Sequence, residues 1–546
     1  MVSPKVVDSP AIILATLNAK YIHASLGLRY LLANMGELRA STALREFTIA
    51  RPPQEVVDEL LALLGESPPG AVQVVGFGVY IWNVLQTTAV LRLLKAARPT
   101  IKVVLGGPEV SHELDAQDIV RLADFVITGW GDVSFAKLCR ALLQGPGSLM
   151  KVIAGEQPPL DQIALPYGEY SAADLAHRLL YVEASRGCPF KCEFCLSSLD
   201  KTAWAFDLDL LLAELDTLYQ RGARNFKFVD RTFNLKIDAA LRILQFFLDR
   251  LPAPGATDAS NDLFLHFEVI PDHLPERLKH MIAQFAPGVL QLEVGVQSFN
   301  VEAQQRISRK QDNARTEANL HWLVNHSHAH VHADLIFGLP GETLESFALG
   351  FDRLYGLRPH EIQLGILKRL RGTPLARHTV EHGMVYDANP TYTVQQTAAV
   401  TRADMQRFAR FARYWDLVAN SGRFKQTLPV LLGAGGYASA DARANSPSPF
   451  YAFLAFADWL WQTTGKTSGL SPEMLVDALF DYLCSLCKVP VPTVQKALLV
   501  DYAASGARAR PQCLRGVLPA QVAPLPRAAR TLAARQERHA MVAHAD

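Results

Sequence analysis

The sequence lacks any marked excess of charge of one sign. It has 54 Lys and Arg against 53 Asp and Glu, so it lacks the basic character typical of nucleic-acid-binding proteins. It also lacks an apolar run of about 18 residues, the length that a membrane-spanning helix requires. The apolar run Ala11–Leu17 is too short, and too polar on its carboxyl side, for a secretory signal. These absences predict no membrane span, give no indication of a nucleic-acid partner and favour a cytoplasmic location.

Cysteine is scarce, with seven residues in 546, which excludes a disulfide framework. Three of the seven fall close together, at Cys188, Cys192 and Cys195. In a reducing compartment such a group indicates metal binding or catalysis. The spacing of Cys484 and Cys487 would place both on one apolar helix face, so we expect them to pack in a core.

At roughly 100–200 residues per domain, the length predicts about three domains. Residues 8–148 are predicted to form an α/β domain with a doubly wound parallel sheet. Its candidate strands are apolar runs separated by helical patterns: Ala11–Leu17, Val72–Tyr80, Lys102–Leu105 and Phe125–Thr128. Ligands of such sheets bind beyond the carboxyl ends of the strands. Six glycines that would let a bulky ligand approach the backbone lie there: Gly76, Gly78, Gly106, Gly107, Gly129 and Gly131.

Residues 149–178 are predicted to be a linker, and residues 179–372 repeat the strand–helix pattern six times. This number predicts a partial (β/α)6 TIM-like barrel with its chemistry at the carboxyl ends of the strands. The candidate strands are Leu180–Ala184, Asn225–Asp230, Phe264–Ile270, Leu290–Val296, Val331–Phe337 and Glu361–Leu367. Residues 373–546 lose the strand pattern and predict a mostly α-helical domain, with helices at Val394–Val418 and Glu473–Cys487.

The three grouped cysteines directly follow the first predicted barrel strand. A 4Fe–4S cluster is usually held by four cysteines, so three ligands would leave one iron open to a small molecule. Two other interpretations stay open from the residues alone. The cysteines could be packing residues, or they could bind zinc with His330 or His332 as a further ligand.

The spacing Cys188-x3-Cys192-x2-Cys195 resembles that of the radical S-adenosylmethionine superfamily. The resemblance implies that the open iron binds S-adenosylmethionine, and that an electron from the cluster splits it into methionine and a 5′-deoxyadenosyl radical. It also implies a flavodoxin- or ferredoxin-like electron donor. Four segments in the family's order imply S-adenosylmethionine contacts from Phe194, Asp230, Glu293, Gln297, Gly338, Pro340 and Gly341. Without the resemblance, Asp230 could equally cap a helix, and the glycines could form an ordinary turn.

A doubly wound domain before such a barrel is similar to the cobalamin-binding subclass of this superfamily. The resemblance implies cobalamin as a further cofactor, contacted by the six strand-end glycines. No Asp-x-His-x-x-Gly motif occurs in residues 1–180, so no histidine is expected below the cobalt. The alternative is that the domain has kept its fold and lost the cofactor. His23 and His112 are interpreted as surface or helix-end residues.

The segments 16–26 and 368–375 resemble a subgroup in which an uncharacterised helical domain follows the barrel. The resemblance implies methylation of an unactivated carbon of an unknown small-molecule substrate. One alternative is an oxidative ring-forming enzyme, given a distant similarity to the anaerobic magnesium-protoporphyrin IX monomethyl ester cyclase family. The other is a non-catalytic sensor that carries the cluster and the corrin.

Overall fold

The architecture comes from a computed structural model, which describes residues 9–66, 70–145, 150–200, 202–251, 263–434, 448–505 and 509–518. Two six-stranded parallel sheets follow one another along the chain, and a helical region comes after them. Within these ranges, no helix combines the length and the apolar character that crossing a membrane demands.

The first sheet has the strand order β2-β1-β3-β4-β5-β6, and every neighbouring pair is parallel. Its strands are β1 (Ile12–Asn18), β2 (Thr42–Thr48), β3 (Val74–Gly78), β4 (Lys102–Gly106), β5 (Phe125–Thr128) and β6 (Val152–Ala154). Its helices are α1 (Leu26–Ala33), α2 (Pro53–Leu64), α3 (Val84–Ala97), α4 (Asp118–Leu122) and α5 (Ser134–Gln144). The doubly wound class is confirmed, because apolar helices cover the buried central strands on both faces.

The four strands predicted for this sheet are confirmed, and two further strands join them at its edges. β2 was missed because an edge strand buries little of itself: it carries Arg45 and Glu46, and most of its residues are only half-buried. β6 is three residues long and lies within the predicted linker, where it pairs with β5. The proposed domain limits, 8–148 for the first domain and 149–178 for the linker, stay predictions.

The second sheet has the order β14-β13-β12-β11-β10-β7 and is also parallel throughout. The strands of this region are β7 (Leu180–Val182), the hairpin strands β8 (Ser185–Arg186) and β9 (Trp204–Ala205), β10 (Asn225–Phe228), β11 (Phe264–Val269), β12 (Leu290–Gln297), β13 (His330–Phe337) and β14 (Glu361–Ile366). The six predicted barrel strands are confirmed. The barrel is partial because β7 and β14 are the two edges of the sheet.

Helices precede or alternate with the barrel strands. They are α6 (Ala172–His177), α7 (Leu208–Gln220), α8 (Ile237–Leu248), α9 (Glu276–Ile282), α10 (Val301–Arg306), α11 (Asn313–His326) and α12 (Leu344–Gly356). Since every strand of the barrel runs the same way, the loops that follow the strands all meet at one face.

The region after the barrel is mostly helical, but the helix predicted from Val394 is wrong in its first part. Val394–Gln396 forms β16, which pairs antiparallel with β15 (Val385–Tyr386). The helix begins only at Arg402, because the Thr401 hydroxyl caps it by accepting the Asp404 N–H. The helices are α13 (Arg402–Val418), α14 (Thr427–Ala434), α15 (Pro449–Thr464), α16 (Pro472–Asp481), a π-helical turn (Tyr482–Leu486) and α17 (Val491–Ala504).

The carboxyl-terminal helices share one core with the barrel. Phe351 of α12 packs against Phe411 and Trp415 of α13 and against Phe450 of α15, with ring centroids 4.9–5.6 Å apart. Cys484 and Cys487 are half-buried against this same core, as predicted. Residues 519–546 of the predicted helical domain lie outside the described residues.

Candidate cofactor and active site

The three grouped cysteines line one cavity of about 280 Å³ at the carboxyl ends of the barrel strands; we call it the cysteine cavity. Their thiols form no disulfide, and those of Cys188 and Cys192 are buried. The loop is held tightly, since the Cys188 N–H donates to the Asp200 carbonyl at 2.9 Å and the Cys195 N–H to that of Cys192 at 3.1 Å. A β-carbon at Gly187 would lie 2.8 Å from the Ala203 nitrogen, so only glycine fits there. The loop therefore directs three sulfurs into a single space.

Glu193 fixes the same loop to distant parts of the chain. Its buried carboxylate accepts hydrogen bonds from His378 Nε2 at 2.9 Å, from Ser308 Oγ at 2.5 Å and from Arg377. Its backbone N–H donates to the Ile307 carbonyl at 3.0 Å. A charged residue between two cysteines gave no sequence signal for this role, because its partners lie more than 100 residues away.

The donor set fits an iron–sulfur cluster better than a single ion. Around one tetrahedral zinc, thiolate sulfurs would stand about 3.8 Å apart, given Zn–S bonds of about 2.3 Å. Within the described ranges, the only three potential ligands whose atoms all lie within 4.8 Å of one another are His378, Glu381 and His382. The three cysteine sulfurs do not form such a group, and three thiolates are the donor set that leaves one iron of a 4Fe–4S cluster open.

His330 and His332 do not complete a zinc site with the cysteines. His330 Nε2 is 3.0 Å from Glu361 Oε1, and His332 Nε2 is 3.5 Å from Asp334 Oδ1. A cation lies beside the thiols, since Arg309 Nη1 is 3.7 Å from Cys192 Sγ. Burial raises the pKa of the Cys192 thiol while the Arg309 charge opposes that rise, so this guanidinium favours thiolate at the site.

Three of the residues predicted to contact S-adenosylmethionine line the cysteine cavity: Phe194, Glu293 and Gln297. Burial opposes ionisation of Glu293, but the hydrogen bond from His266 at 2.9 Å and the charge of Lys227 at 3.3 Å outweigh it, so the pKa of Glu293 is well below its usual range. Gln297 has a φ of 69° at an irregularity in the pairing of β12 with β13. Such backbone is uncommon outside glycine, and it is over-represented at ligand sites.

The other predicted contacts, Asp230, Gly338, Pro340 and Gly341, are not among the residues that line the cavity. Asp230 is buried and accepts hydrogen bonds from the Ala184 N–H at 2.9 Å and from Ser185 Oγ at 2.5 Å. Burial raises the pKa of Asp230 to about 7. Gly338 packs against the β15–β16 hairpin, since a β-carbon there would lie 2.6 Å from Val394 Cγ1. Contact of these four residues with S-adenosylmethionine stays a prediction.

The structure adds charged residues that the sequence analysis missed. Arg231, Glu268, Arg309 and Asp334 line the cysteine cavity beside the cysteines. Burial and the neighbouring Glu293 charge hold the pKa of Asp334 well above its usual range. Glu268 and Asp334 could have been found as the single acidic residues of β11 and β13.

A second cavity of about 390 Å³ lies at the carboxyl ends of the first sheet, and all six predicted glycines line it; we call it the glycine cavity. Gly129 has a φ of 71°, and a β-carbon there would have no neighbour within 4 Å, so this backbone borders open space. Gly107 has a φ of 109°, and its β-carbon would lie 2.5 Å from the Val79 carbonyl oxygen. The glycines thus allow both the tight turns and the close approach of a flat ligand.

The lining of the glycine cavity suits a flat macrocycle, since glycine backbone and aromatic rings both border it. Aromatic side chains such as Tyr30, Phe77 and Tyr80 contribute to its lining. Neither His23 nor His112 belongs to the lining residues that the structure describes. His23 instead is half-buried, precedes the Ser25 N-cap of α1 by two residues and lies 2.8 Å from the Tyr181 hydroxyl.

Arg186 joins the two halves of the site. Its guanidinium donates to both carboxylate oxygens of Asp132, at 2.9 and 3.0 Å, and to Glu183 at 2.8 Å. It also lies over the rings of Tyr30 and Trp130, at 4.3 and 4.8 Å from their centroids. Because Arg186 stands next to the cysteine loop while Asp132 follows β5, this cluster sets the two cavities side by side.

Three parts of the chain match known protein families. Residues 12–139 match the B12 binding domain, residues 182–350 match the Radical SAM superfamily, and residues 380–538 match a protein family of unknown function, DUF4080.

Two relatives are methyltransferases by name. An uncharacterized methyltransferase of Pyrococcus horikoshii is 32% identical over 191 residues, which is 29% of this chain and 40% of the relative. The cobalamin-dependent radical SAM methyltransferase TokK of Streptomyces tokunonensis is 24% identical over 345 residues, 56% of this chain and 49% of the relative. The matches thus span about half the length of these curated relatives or less.

Two solved structures are similar in fold. The cobalamin-dependent S-adenosylmethionine radical enzyme OxsB with aqua-cobalamin bound aligns with a TM-score of 0.56 at 11% identity, over 91% of this chain and 81% of OxsB. The radical S-adenosylmethionine methyltransferase TsrM of Kitasatospora setae, with tryptophan substrate and a SAM analog bound, aligns with a TM-score of 0.53 at 16% identity, over 72% of this chain and 81% of TsrM. At these identities the likeness shows the fold.

Proposed function

We propose that this chain, which combines a B12-binding domain, a radical S-adenosylmethionine domain and a DUF4080 domain, methylates an unactivated carbon of a small-molecule substrate. Its cofactors are a 4Fe–4S cluster, S-adenosylmethionine and cobalamin. The observation that carries the proposal is the adjacency of the two cavities, since Arg231 lines both. The two methyltransferase relatives favour this activity over ring formation and over a sensor without turnover.

The residues of the cysteine cavity would bind and orient the first pair of cofactors. Cys188, Cys192 and Cys195 would hold the cluster, and Arg309 would balance part of its negative charge. Glu293 stays ionised because His266 and Lys227 hold it so, and it would accept hydrogen bonds from ligand hydroxyls. Phe194 would pack against a ligand ring, as its resemblance to the family position implies.

The residues around the glycine cavity would hold the corrin and exclude water. Gly106, Gly107 and Gly129 would permit close approach of the macrocycle to the strand ends. The ion pair of Arg186 with Asp132 would keep the glycine cavity next to the cysteine loop. When bound, the cluster supplies the electron that cleaves S-adenosylmethionine, and cobalamin supplies a methyl carrier.

We further propose that a flavodoxin- or ferredoxin-like protein reduces the enzyme, and that the enzyme works in the cytoplasm. A reducing compartment keeps the thiols of the cysteine loop available to the cluster.

The proposal is tested by anaerobic reconstitution with iron, sulfide and cobalamin, followed by incubation with methyl-labelled S-adenosylmethionine and a reductant. We expect bound corrin, the absorption and electron-spin signals of a 4Fe–4S cluster, and deoxyadenosine formation. Once a substrate is supplied, the label should appear in the product. The Cys188→Ala/Cys192→Ala/Cys195→Ala variant should bind corrin but neither form the cluster nor release deoxyadenosine.

The outcomes separate the three functions considered. Deoxyadenosine and a cyclised product without label would favour the oxidative enzyme. Bound cofactors with no deoxyadenosine under any reducing condition would favour a sensor. A triple variant that keeps its full cluster content would contradict the assignment of the cysteines.

A further inference from the structure

The passage between the two cavities has one charged side chain common to both. Among the lining residues that the structure describes, Arg231 alone borders the glycine cavity and the cysteine cavity. On the proposed function, on which this inference rests, the reacting carbon of the substrate must lie between the corrin and S-adenosylmethionine. Arg231 therefore borders the place where the substrate has to bind.

The chain holds the turn that carries Arg231 in place from both sides. The preceding residue, Asp230, is fixed by the Ala184 N–H and the Ser185 hydroxyl. On the other side, Glu268 of β11 accepts two hydrogen bonds from Arg231 Nη1, at 2.8 and 3.0 Å. Asp230, predicted as a ligand contact, thus contributes by positioning its neighbour.

The guanidinium of Arg231 keeps donors available. Nη1 is engaged by Glu268, but no hydrogen bond joins Nε or Nη2 to any residue within the described ranges. About half of the side-chain surface, 53%, is exposed. The Nε–Nη2 edge is a planar pair of parallel N–H donors, which matches the two oxygens of a carboxylate or a phosphate.

We infer that the substrate is an acid, with a carboxylate or phosphate group, and that the Nε–Nη2 edge of Arg231 binds this group. Arg231 is then the residue that selects acidic substrates over neutral ones and holds the reacting carbon between the two cavities. A lysine would keep the charge but lose the paired donors, so it should replace Arg231 only in part.

The test uses small probes on the fully reconstituted enzyme, without reductant. Binding of inorganic phosphate, of succinate and of its neutral analogue succinamide is measured by calorimetry in the presence of saturating S-adenosylmethionine. We expect the wild type to bind phosphate or succinate but not succinamide. Arg231→Gln should weaken the anion by about 10- to 100-fold, the loss typical of a hydrogen bond to a charged group. Arg231→Lys should weaken it less.

Arg277→Gln serves as the matched control, since Arg277 is an exposed arginine paired with Asp238 on the outer helices. It should bind each probe as the wild type does. Equal anion affinity in wild type and Arg231→Gln would overturn the inference. So would competition between the anion and S-adenosylmethionine, or an equal loss of S-adenosylmethionine affinity in Arg231→Gln, because Arg231 would then bind the cofactor's own carboxylate.

These results are distinct from failure of the proposed function. Anion binding is measured without turnover, whereas the labelled-methyl experiment uses the wild-type enzyme. Phosphate and succinate differ in charge and geometry, so the tighter of the two indicates whether the acidic group is a phosphate or a carboxylate. Because Arg231 itself lines the glycine cavity, the circular-dichroism spectrum, and not the corrin content, shows that each variant is folded.

Discussion

Replacement of Arg186 by methionine should loosen the contact between the two cavities. The side chains of Arg186, Asp132 and Glu183 are only 13%, 7% and 11% exposed. Removing one partner of such a buried ion pair leaves an uncompensated charge and costs about 3–5 kcal/mol. That energy corresponds to a rise of roughly 10²- to 10⁴-fold in the local opening equilibrium.

Hydrogen–deuterium exchange can measure this opening. The Cys188 amide donates to the Asp200 carbonyl at 2.9 Å, so peptides that contain residues 185–188 and 129–132 should lose protection together in Arg186→Met. Peptides from α2, which lies away from the site, should not change. The matched control is Arg39→Met, since Arg39 also donates two hydrogen bonds to one carboxylate, that of Glu169, but is 39% exposed. Its loss should cost at most about 1 kcal/mol.

The same variant has a predicted pH dependence. Burial raises the pKa of Glu183, and the charge of Arg186 opposes that rise, so the variant should raise it further. A carboxyl whose pKa is higher in the folded than in the unfolded chain stabilises the fold at low pH, and this contribution is lost as pH rises. The loss of stability caused by Arg186→Met, relative to the wild type, should therefore be smaller at pH 5 than at pH 8. Unchanged protection at pH 8, or an equal loss in Arg39→Met, would refute the reasoning.

Three further changes test other parts of the structure. Burial raises the pKa of Glu342 to about 8, so the stability held by its neutral form should be lost as pH rises through 8. Between pH 7 and 9 the thermal midpoint of Glu342→Gln should then fall less than that of the wild type. An equal fall in the two proteins would contradict the raised pKa of Glu342. Gly107→Ala should destabilise the chain by about 1–3 kcal/mol and reduce the corrin bound per chain, because the new β-carbon would meet the Val79 carbonyl at a positive φ. The control is Gly168→Ala, which should change neither quantity because open space surrounds that position. Glu193→Ala removes the acceptor for His378 and Ser308 and should lower the iron and sulfide bound per chain. The control Glu302→Ala, at an exposed residue, should not lower it. Equal iron content in the two variants would show that Glu193 does not hold the cysteine loop in place.

Much of the fold could be predicted because its signals are local. Buried parallel strands are continuous apolar runs, so the buried strands could be located along the chain before any contact was known. Errors arose where burial is slight or elements are short, as at β2, β6 and β16, since a strand of three residues or a half-exposed edge leaves little periodicity.

The sequence by itself determined the candidate site residues most tightly grouped along the chain. The spacing of Cys188, Cys192 and Cys195 places three thiols on one loop, and the glycines at successive strand ends must meet at one edge of a parallel sheet. Both follow from chain geometry over short distances, and the three cysteines and the six glycines do line the two cavities.

Only the tertiary structure decided which charges meet. Arg186 reaches Asp132 across 54 positions, and His378 reaches Glu193 across 185. It also placed the Asp230 carboxylate against the Ala184 N–H and the Ser185 hydroxyl. Pairings of this kind depend on how whole sheets and helices pack against one another. A single sequence contains no local pattern that records them, because the partners are brought together only by the burial of their apolar surroundings.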